Sequence, residues 1–255
     1  MEIIKNTIRV GNSAGVLLPK EYLNMQVKVV LTPLNVEKDV IEILMGGGLL
    51  KEVVGVYIVG SYSRGEENME SDVDVLVITN NVNKKIKKGR YELILISEAE
   101  LEGQLEKNIM PLLPMIKEAK AVINSGLLEK YRNTKITKKN LKWHFDIVKS
   151  GLKLNKAAVN LDNDLEEKCT GDAVAYSLVL HTRSWYLVDK MLNKKMWSNK
   201  EFVKLLKNIS GSNSAYEGYI RVKSNNKRLN KLPIEEAEKL YNHLSKEIKK
   251  QESLL

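Results

Sequence analysis

Two apolar runs, VVGVYIVGS and DVDVLVIT, stand on either side of a polar stretch and constrain the fold more than any other feature. Runs this rich in β-branched residues are typical of strands buried in a sheet. The second run begins with Asp72 and Asp74, whose side chains share one face of the strand, roughly 7 Å apart. Neighbouring carboxylates repel each other, and a divalent cation between them reverses that cost. The sequence therefore predicts a sheet with an acidic strand end that suits a metal ion.

A Gly-Ser step closes the first run and predicts a place for phosphate groups. Gly60 has no side chain, so a ligand can approach the backbone closely, and Ser61 offers a hydroxyl group. Successive N–H groups at a strand-to-helix turn can form an anion-binding concavity. Arg64, four residues later, could reach a triphosphate or could pair with Glu66 or Glu67.

The next apolar run, RYELILIS, opens with a third carboxylate that could join the aspartates. Asp72, Asp74 and Glu92 would be hard-oxygen ligands for Mg²⁺, which takes few carboxylates and keeps positions open for phosphates. A glutamate that opens a strand is also often only solvated. Two metal ions held by shared carboxylates would activate the attacking oxygen and stabilise the leaving group in phosphoryl-type transfer.

The strand order around these motifs indicates a mixed sheet with helices packed on it. A short helix is predicted over Glu37–Leu44, and a further helix, EAELEGQLEKN, follows the third strand. The basic run of Lys84, Lys85, Lys87, Lys88 and Arg90 is interpreted as an exposed loop, with substrate guidance as the alternative.

The first 34 residues cannot bury enough apolar surface to fold alone. IIKNTIRV, VLL and QVKVVLT are predicted strands, and Pro19 is predicted to open one helical turn. Three short strands and one turn need a partner, so we expect a homodimer.

From residue 126 onward the spacing of apolar residues predicts a helical bundle. Its helices are marked by Leu141 to Leu152, Ala173 to Met191, the capping box of Ser198 and Glu201, Ala215 to Val222, and the segment after Pro233. This half holds twenty-six Lys and Arg against fifteen Asp and Glu, and thereby carries the whole excess of the net charge of +9. The excess fits either attraction of nucleic acid or nucleotide phosphates, or a solvated helical surface.

The overall composition, with 43% hydrophobic and 29% charged residues, is that of a soluble globular protein. The longest run without a charge, Val53 to Ser63, is far shorter than a membrane helix, and MEIIKNTIRV is too polar for a secretory signal. With Cys169 as the single cysteine, no intrachain disulfide can form, which fits a cytoplasmic protein.

The central motif resembles that of minimal nucleotidyltransferases of the DNA polymerase β-like superfamily. The matching elements are the strand Val56 to Val59, Gly60-Ser61, Arg64-Gly65, Ser71-Asp72-Val73-Asp74 and the strand Val75 to Ile78. The resemblance implies that Gly60, Ser61 and Arg64 bind the nucleotide. It implies that Asp72, Asp74 and Glu92 are the catalytic, metal-binding residues, with two Mg²⁺ ions and ATP as the expected nucleotide.

Two weaker resemblances concern the ends of the chain. GNSAGVLLPKEYL is similar to the swapped-hairpin domain of AbrB and MazE-type proteins, in which two chains interleave their strands. That likeness implies homodimerisation and a possible DNA contact through Arg9, Asn12 and Lys20. The helical half resembles the domains that follow minimal nucleotidyltransferases, related to kanamycin nucleotidyltransferase tails and HEPN domains. It lacks the Arg–His spacing of HEPN ribonucleases, and we interpret His181 as a core residue.

We therefore expect an α+β protein of three domains: a swapped-hairpin domain over 1–34, a mixed-sheet nucleotidyltransferase domain over 35–125 and a helical bundle over 126–255. The predicted activity is metal-dependent transfer of an NMP from an NTP to a hydroxyl group on a protein, an RNA or a small molecule. One alternative is a DNA-binding regulator or antitoxin-like protein that acts through its first domain. Another is a protein that keeps the metal-binding residues but has a mainly regulatory role.

Overall fold

The computed structural model describes residues 3, 5, 7–29, 35–68, 71–227 and 229–255, with the side chain of Arg9 left out. The chain divides into two compact units, Met1–Asn35 and Val36–Leu255, called here the hairpin unit and the main unit. Within the described part of the chain, no helix combines the length and the apolar character needed to cross a membrane.

The hairpin unit holds a short antiparallel pair, β1 (Ile8–Val10) and β2 (Ser13–Gly15), followed by a 3₁₀ turn over Lys20–Tyr22. Gly11 turns the chain at φ +58°, and Pro19 precedes the 3₁₀ turn as predicted. The predicted strand VLL is wrong, because the ladder with β1 uses the three residues before it. The end of the predicted strand QVKVVLT lies outside the described residues, and strand exchange stays a prediction.

The main unit consists of a mixed sheet and the helices that cover it. Its strands are β3 (Val53–Val59), β4 (Val73–Thr79), β5 (Lys84–Lys88), β6 (Tyr91–Ser97), β7 (Lys120–Ile123), β8 (Cys169–Thr170) and β9 (Leu232–Pro233). Its helices are α1 (Val36–Gly46), α2 (Gly60–Arg64), α3 (Glu98–Lys107), α4 (Leu112–Glu118), α5 (Ser125–Arg132), α6 (Lys138–Asp164), α7 (Asp172–Leu192), α8 (Asn199–Ser210), α9 (Ser214–Lys223) and α10 (Ile234–Ser253). The α+β class with a mixed sheet is therefore confirmed.

The central sheet has the order β5-β6-β4-β3-β7, with β4 and β6 parallel and the other pairs antiparallel. Helix α1 covers one face, where Val40 and Leu44 belong to the same apolar cluster as Val75 and Val77. The opposite face joins the large core of the helical half through Tyr57 and Leu76, among others. Alternation along β4 places Asp74 on the same face as Leu76, at the end of the strand.

One prediction in this region is wrong, and one strand was not predicted. The basic run Lys84–Lys88 is not a loop but the edge strand β5, whose backbone pairs with β6 while its lysines remain exposed. Lysines at a sheet edge hinder pairing with further strands, which explains a strand of this composition. The sequence also gave no sign of β7, which pairs with β3 on the other side.

The predicted helices of the second half are confirmed as α6 to α10. Ser198 caps α8 by accepting hydrogen bonds from the N–H groups of Lys200 and Glu201. Leu180 was expected on the buried face of α7 but is 40% exposed. The division of the main unit into two domains near residue 125 stays a prediction.

Candidate active site

The acidic strand ends meet because β4 and β6 run parallel in register. Asp74 is the direct partner of Glu92 on β6, and Val59, the last residue of β3, is its partner on the other side. Partner residues on adjacent strands lie about 5 Å apart and point to the same face. Asp72 lies just before β4 and is exposed, whereas Asp74 and Glu92 are half-buried. Two carboxylates thus share one end of the sheet, with a third beside them.

Within the part of the chain that the structure describes, the carboxylates at this strand end form no ion pair. Burial, followed by the charges of Glu92 and Asp72, raises the pKa of Asp74 above its ordinary value. Among the described residues, none of these three carboxylates accepts a hydrogen bond or has a cation within 4 Å. The described part of the chain contains no group of three or more His, Cys, Asp or Glu side chains that could hold a metal ion. Mg²⁺ is commonly held by one or two carboxylates together with substrate phosphates, so the residues present fit that ion. The three-ligand set stays a prediction.

Gly60 is required by the close approach of Asp74. Its φ of +71° favours glycine, and a Cβ atom there would lie 2.5 Å from Oδ2 of Asp74. The backbone N–H of Gly60 donates a hydrogen bond of 2.7 Å to Oε1 of Glu118. This N–H, expected from the sequence to face a phosphate, is therefore already used by a protein carboxylate. Phosphate binding by Gly60 and Ser61 stays a prediction.

Arg64 adopts the pairing alternative that the sequence left open. Its Nε donates to Glu66 at 2.8 Å and its Nη1 donates to Glu118 at 2.6 Å, and its side chain is only 10% exposed. Glu67 is not its partner among these contacts. The role of Arg64 in nucleotide binding stays a prediction.

Glu118, the last residue of α4, connects the Gly-Ser turn to the helical half. Its side chain is almost fully buried, and Oε2 accepts hydrogen bonds from Nη1 of Arg64 at 2.6 Å and from Nε1 of Trp197 at 2.7 Å. Together with the bond from Gly60, one carboxylate thus receives two donors from α2 and one from the segment that precedes α8. Nothing in the local sequence around Glu118 indicates this role.

The network continues to the start of α8 through a second, half-buried carboxylate. Glu66 accepts hydrogen bonds from Oγ of Ser198 at 2.5 Å and from the N–H of Asn199 at 3.0 Å. Burial alone would raise the pKa of Glu66, but hydrogen bonds from Ser198 and Arg64 outweigh it and lower that pKa to about 2. A chain of charged hydrogen bonds therefore fixes α2 against α8.

One lysine of the helical half acts electrostatically on the acidic strand end. The charge of Lys223, at the end of α9, lowers the pKa of Asp74 and so opposes the effect of Glu92. Sequence reasoning missed this residue, although the basic excess after residue 126 was a general sign of it. Lys223 makes no ion pair with Asp74 within 4 Å, so its charge acts on the carboxylate from a greater distance.

The remaining candidate residues lie elsewhere. Asn12 is exposed in the turn of the hairpin unit, and Lys20 is exposed at the start of the 3₁₀ turn. Arg9 lies on β1. The structure does not test their contact with DNA. His181 is half-buried, with its ring packed against Gly151 of α6 and its Nδ1 3.3 Å from Oγ of Ser177.

A mixed sheet with carboxylates on adjacent strand ends, beside a Gly-Ser turn, is an arrangement suited to enzymes that handle nucleotide phosphates. The family model of the nucleotidyltransferase domain matches residues 47–160, a little under half of the chain, and this range includes all six residues expected at the active site. The chain therefore carries a nucleotidyltransferase domain and is a nucleotidyltransferase enzyme, as predicted. The alternative of a DNA-binding regulator is not favoured.

Two solved structures resemble the chain distantly. A nucleotidyltransferase-like protein from Exiguobacterium sibiricum aligns with a TM-score of 0.37 at 13% identity, over 85% of this chain and 75% of that one. A spectinomycin adenyltransferase from Enterococcus faecialis, solved with ATP and spectinomycin, aligns with a TM-score of 0.40 at 13% identity, over 84% and 98%. Both scores are below 0.5, so neither neighbour assigns a residue or a substrate here. No match is found among curated proteins.

Proposed function

We propose that the protein transfers an NMP from an NTP to a hydroxyl acceptor with the help of Mg²⁺, and that Asp72, Asp74 and Glu92 are its metal-binding and catalytic residues. The observation that carries the proposal is the in-register pair of Asp74 and Glu92 beside Gly60. Neither carboxylate has an ion-pair partner within the described residues, and burial, followed by the charges of Glu92 and Asp72, raises the pKa of Asp74. A site that accumulates like charges without a protein partner is suited to a bound cation.

The roles of the individual residues follow from their positions. A bound Mg²⁺ pair would activate the acceptor oxygen and neutralise charge on the leaving pyrophosphate. Asp74 and Glu92 would bind the ions, and Asp72, which is exposed just before β4, would join them as the third ligand. Ser61 offers a hydroxyl group that makes no hydrogen bond with the described residues, so it is available for a phosphate oxygen.

Lys223 is proposed as the cation that meets the triphosphate from the helical half. Its charge acts on Asp74 without forming an ion pair, so it stays available for a phosphate group. Arg64 is the weaker candidate, because Nε and Nη1 are already used by Glu66 and Glu118. We therefore assign Arg64 mainly to positioning of the Gly-Ser turn.

The hairpin unit is proposed to dimerise by strand exchange in a cytoplasmic homodimer, with DNA contact as a further possibility for its Arg9, Asn12 and Lys20. Large apolar side chains of this unit are exposed in the single chain, namely Ile8, Val10, Leu17, Leu23, Met25, Val27 and Val29. Exposure on this scale is unfavourable for a unit of about 35 residues and favours a second copy. If Leu17→Asp leaves the sedimentation of the full chain unchanged, this unit does not hold copies together.

The test of the activity is transfer of label from each α-labelled NTP, with Mg²⁺ and fractions of cell extract, because the labelled product reveals both the nucleotide and the acceptor. We expect ATP to be the donor and Asp74→Asn to abolish transfer. The matched control is Glu37→Gln, which removes one negative charge from the exposed side of α1 and should retain transfer. Full transfer by Asp74→Asn would mean that the active site lies elsewhere, and absence of label with every NTP would contradict the activity.

A further inference from the structure

Helix α6 carries a row of large apolar side chains that face solvent. The exposed fractions are 52% for Trp143, 41% for Ile147, 73% for Leu154, 59% for Leu161 and 65% for Leu165, which directly follows the helix. At 100° per residue these five positions fall within a sector about 40° wide. They form a continuous apolar stripe about 33 Å long on the outside of the bundle. Single exposed apolar residues are common, but a contiguous stripe is typical of an interaction surface.

The spacing of this apolar stripe is symmetric about its centre. Ser150 and Ala158 flank this sector, each about 40° from Leu154, so the steps along the stripe are 4, 3 and 4 residues on each side of Leu154. A two-fold rotation about an axis through Leu154, perpendicular to the helix, therefore superposes each large apolar position on another large apolar position. The same rotation superposes Ser150 on Ala158. A pattern of this kind is what an isologous contact between two identical antiparallel helices requires.

We propose that the apolar stripe of α6 is a dimer interface, in which a second copy of this chain packs its own α6 antiparallel around a two-fold axis at Leu154. Trp143 would then lie opposite the partner's Leu165, and Ile147 opposite the partner's Leu161. Ser150 and Ala158 would allow the two helices to approach closely between the larger side chains. The contact removes five exposed large apolar side chains from water.

The charges at the two ends of the helix fit the antiparallel arrangement. Lys138, Lys139 and Lys142 stand at its start, beside a cleft of about 270 Å³ that also contains Asp146 and Glu252. The end of the helix carries the acidic residues Asp162, Asp164, Glu166 and Glu167. An antiparallel pair brings the acidic end of each copy to the basic end of the other, whereas a parallel pair brings like charges together.

The same charges argue against other occupants of the stripe. A nucleic acid or an anionic membrane would be attracted by the lysines at one end and repelled by the four carboxylates at the other. Lys139 and Lys142 are paired with Glu106 and Asp146, but these ion pairs are exposed and weak, so the lysines can change partners. A second copy satisfies both ends at once.

The experiment uses the full chain with Cys169→Ser, so that the only cysteine is the one introduced. Leu154→Cys lies on the proposed axis and should form a covalent dimer on mild oxidation or with a short bis-maleimide. Met45→Cys, on α1 and 59% exposed, is the matched control and should remain uncoupled. Coupling of Leu154→Cys no greater than that of Met45→Cys would overturn the proposal.

A second measurement separates this surface from the hairpin unit. In a chain that carries Leu17→Asp, which removes the proposed hairpin contact, Leu154→Glu places two like charges on the axis and should halve the mass seen in sedimentation equilibrium, while Met45→Glu should not change it. Circular dichroism checks that Leu154→Glu keeps its helices, as expected for a substitution at a solvent-facing position. If Leu154→Glu leaves the mass of the Leu17→Asp chain unchanged, the stripe does not join two copies and the proposal is wrong.

Discussion

The substitution Glu118→Gln tests whether the buried carboxylate holds the Gly-Ser turn. The carboxylate accepts from Gly60 through one oxygen and from Arg64 and Trp197 through the other. A glutamine keeps a single acceptor oxygen, so either one or two of these donors face an NH₂ group instead. Each orphaned buried donor costs about 1–3 kcal/mol, and Arg64 retains Glu66 as a partner. We expect a loss of roughly 2–4 kcal/mol in the free energy of unfolding, a large part of the ~5–15 kcal/mol typical of a folded protein.

The measurement is thermal and urea unfolding followed by circular dichroism. A loss of this size should lower the unfolding midpoint by roughly 4–16 °C for a chain of this length. The control, Glu106→Gln, makes the same chemical change in an exposed ion pair with Lys139 and should leave the midpoint unchanged. Because Gly60 loses its anchor, the surviving folded enzyme should also show a raised KM for the nucleotide. Equal midpoints for the two variants would refute the argument that Glu118 is a structural centre of the site.

Further predictions concern the same region. Gly60→Ala should destabilise the protein by roughly 1–3 kcal/mol, because Gly60 has a positive φ and a Cβ atom there would contact Asp74. Gly103→Ala in α3 is the control, since a Cβ atom there meets no other atom and should not destabilise the protein. Chemical denaturation measures both variants. The depressed pKa of Glu66 contributes stability that is fully present above its ordinary pKa of about 4.5 and is lost as pH falls toward about 2. Over that pH range the unfolding midpoint of the wild type should therefore fall more steeply than that of Glu66→Gln. Lys223→Gln should weaken ATP binding in calorimetry about tenfold, the equivalent of about 1.4 kcal/mol, and unchanged affinity would exclude a phosphate contact.

Strands and helices with a strong period could be predicted from the sequence. The apolar runs of β3, β4 and β6 are strands, and α6 to α10 follow the 3.6-residue spacing of their buried side chains. Strands β5 and β7 were missed because they are short or basic and are fixed by pairing with a neighbour rather than by their own pattern. Propensity in such segments yields to tertiary context.

The candidate site was predictable where its residues are close in sequence. Asp72, Asp74 and the Gly-Ser step stand within 15 residues of one another, so the motif carries them. The pairing of Asp74 with Glu92 depends on the parallel register of β4 and β6, which spacing alone does not determine. Glu118 and Lys223 reach the site from distant helices, and only the folded chain brings them there.

The central claim is that the carboxylates at the end of β4 and β6 bind Mg²⁺ together with a nucleotide. The most direct test compares the unfolding midpoints of the wild type and of Asp74→Asn, without and with Mg²⁺ and ATP. Without ligand, Asp74→Asn should unfold at a slightly higher temperature, because burial and the charges of Glu92 and Asp72 disfavour the ionised carboxylate of Asp74 and raise its pKa. Mg²⁺ with ATP at about 100 times the dissociation constant should stabilise the wild type by about 2.7 kcal/mol, or roughly 5–10 °C, and Asp74→Asn much less. Equal stabilisation of the two proteins would contradict the claim.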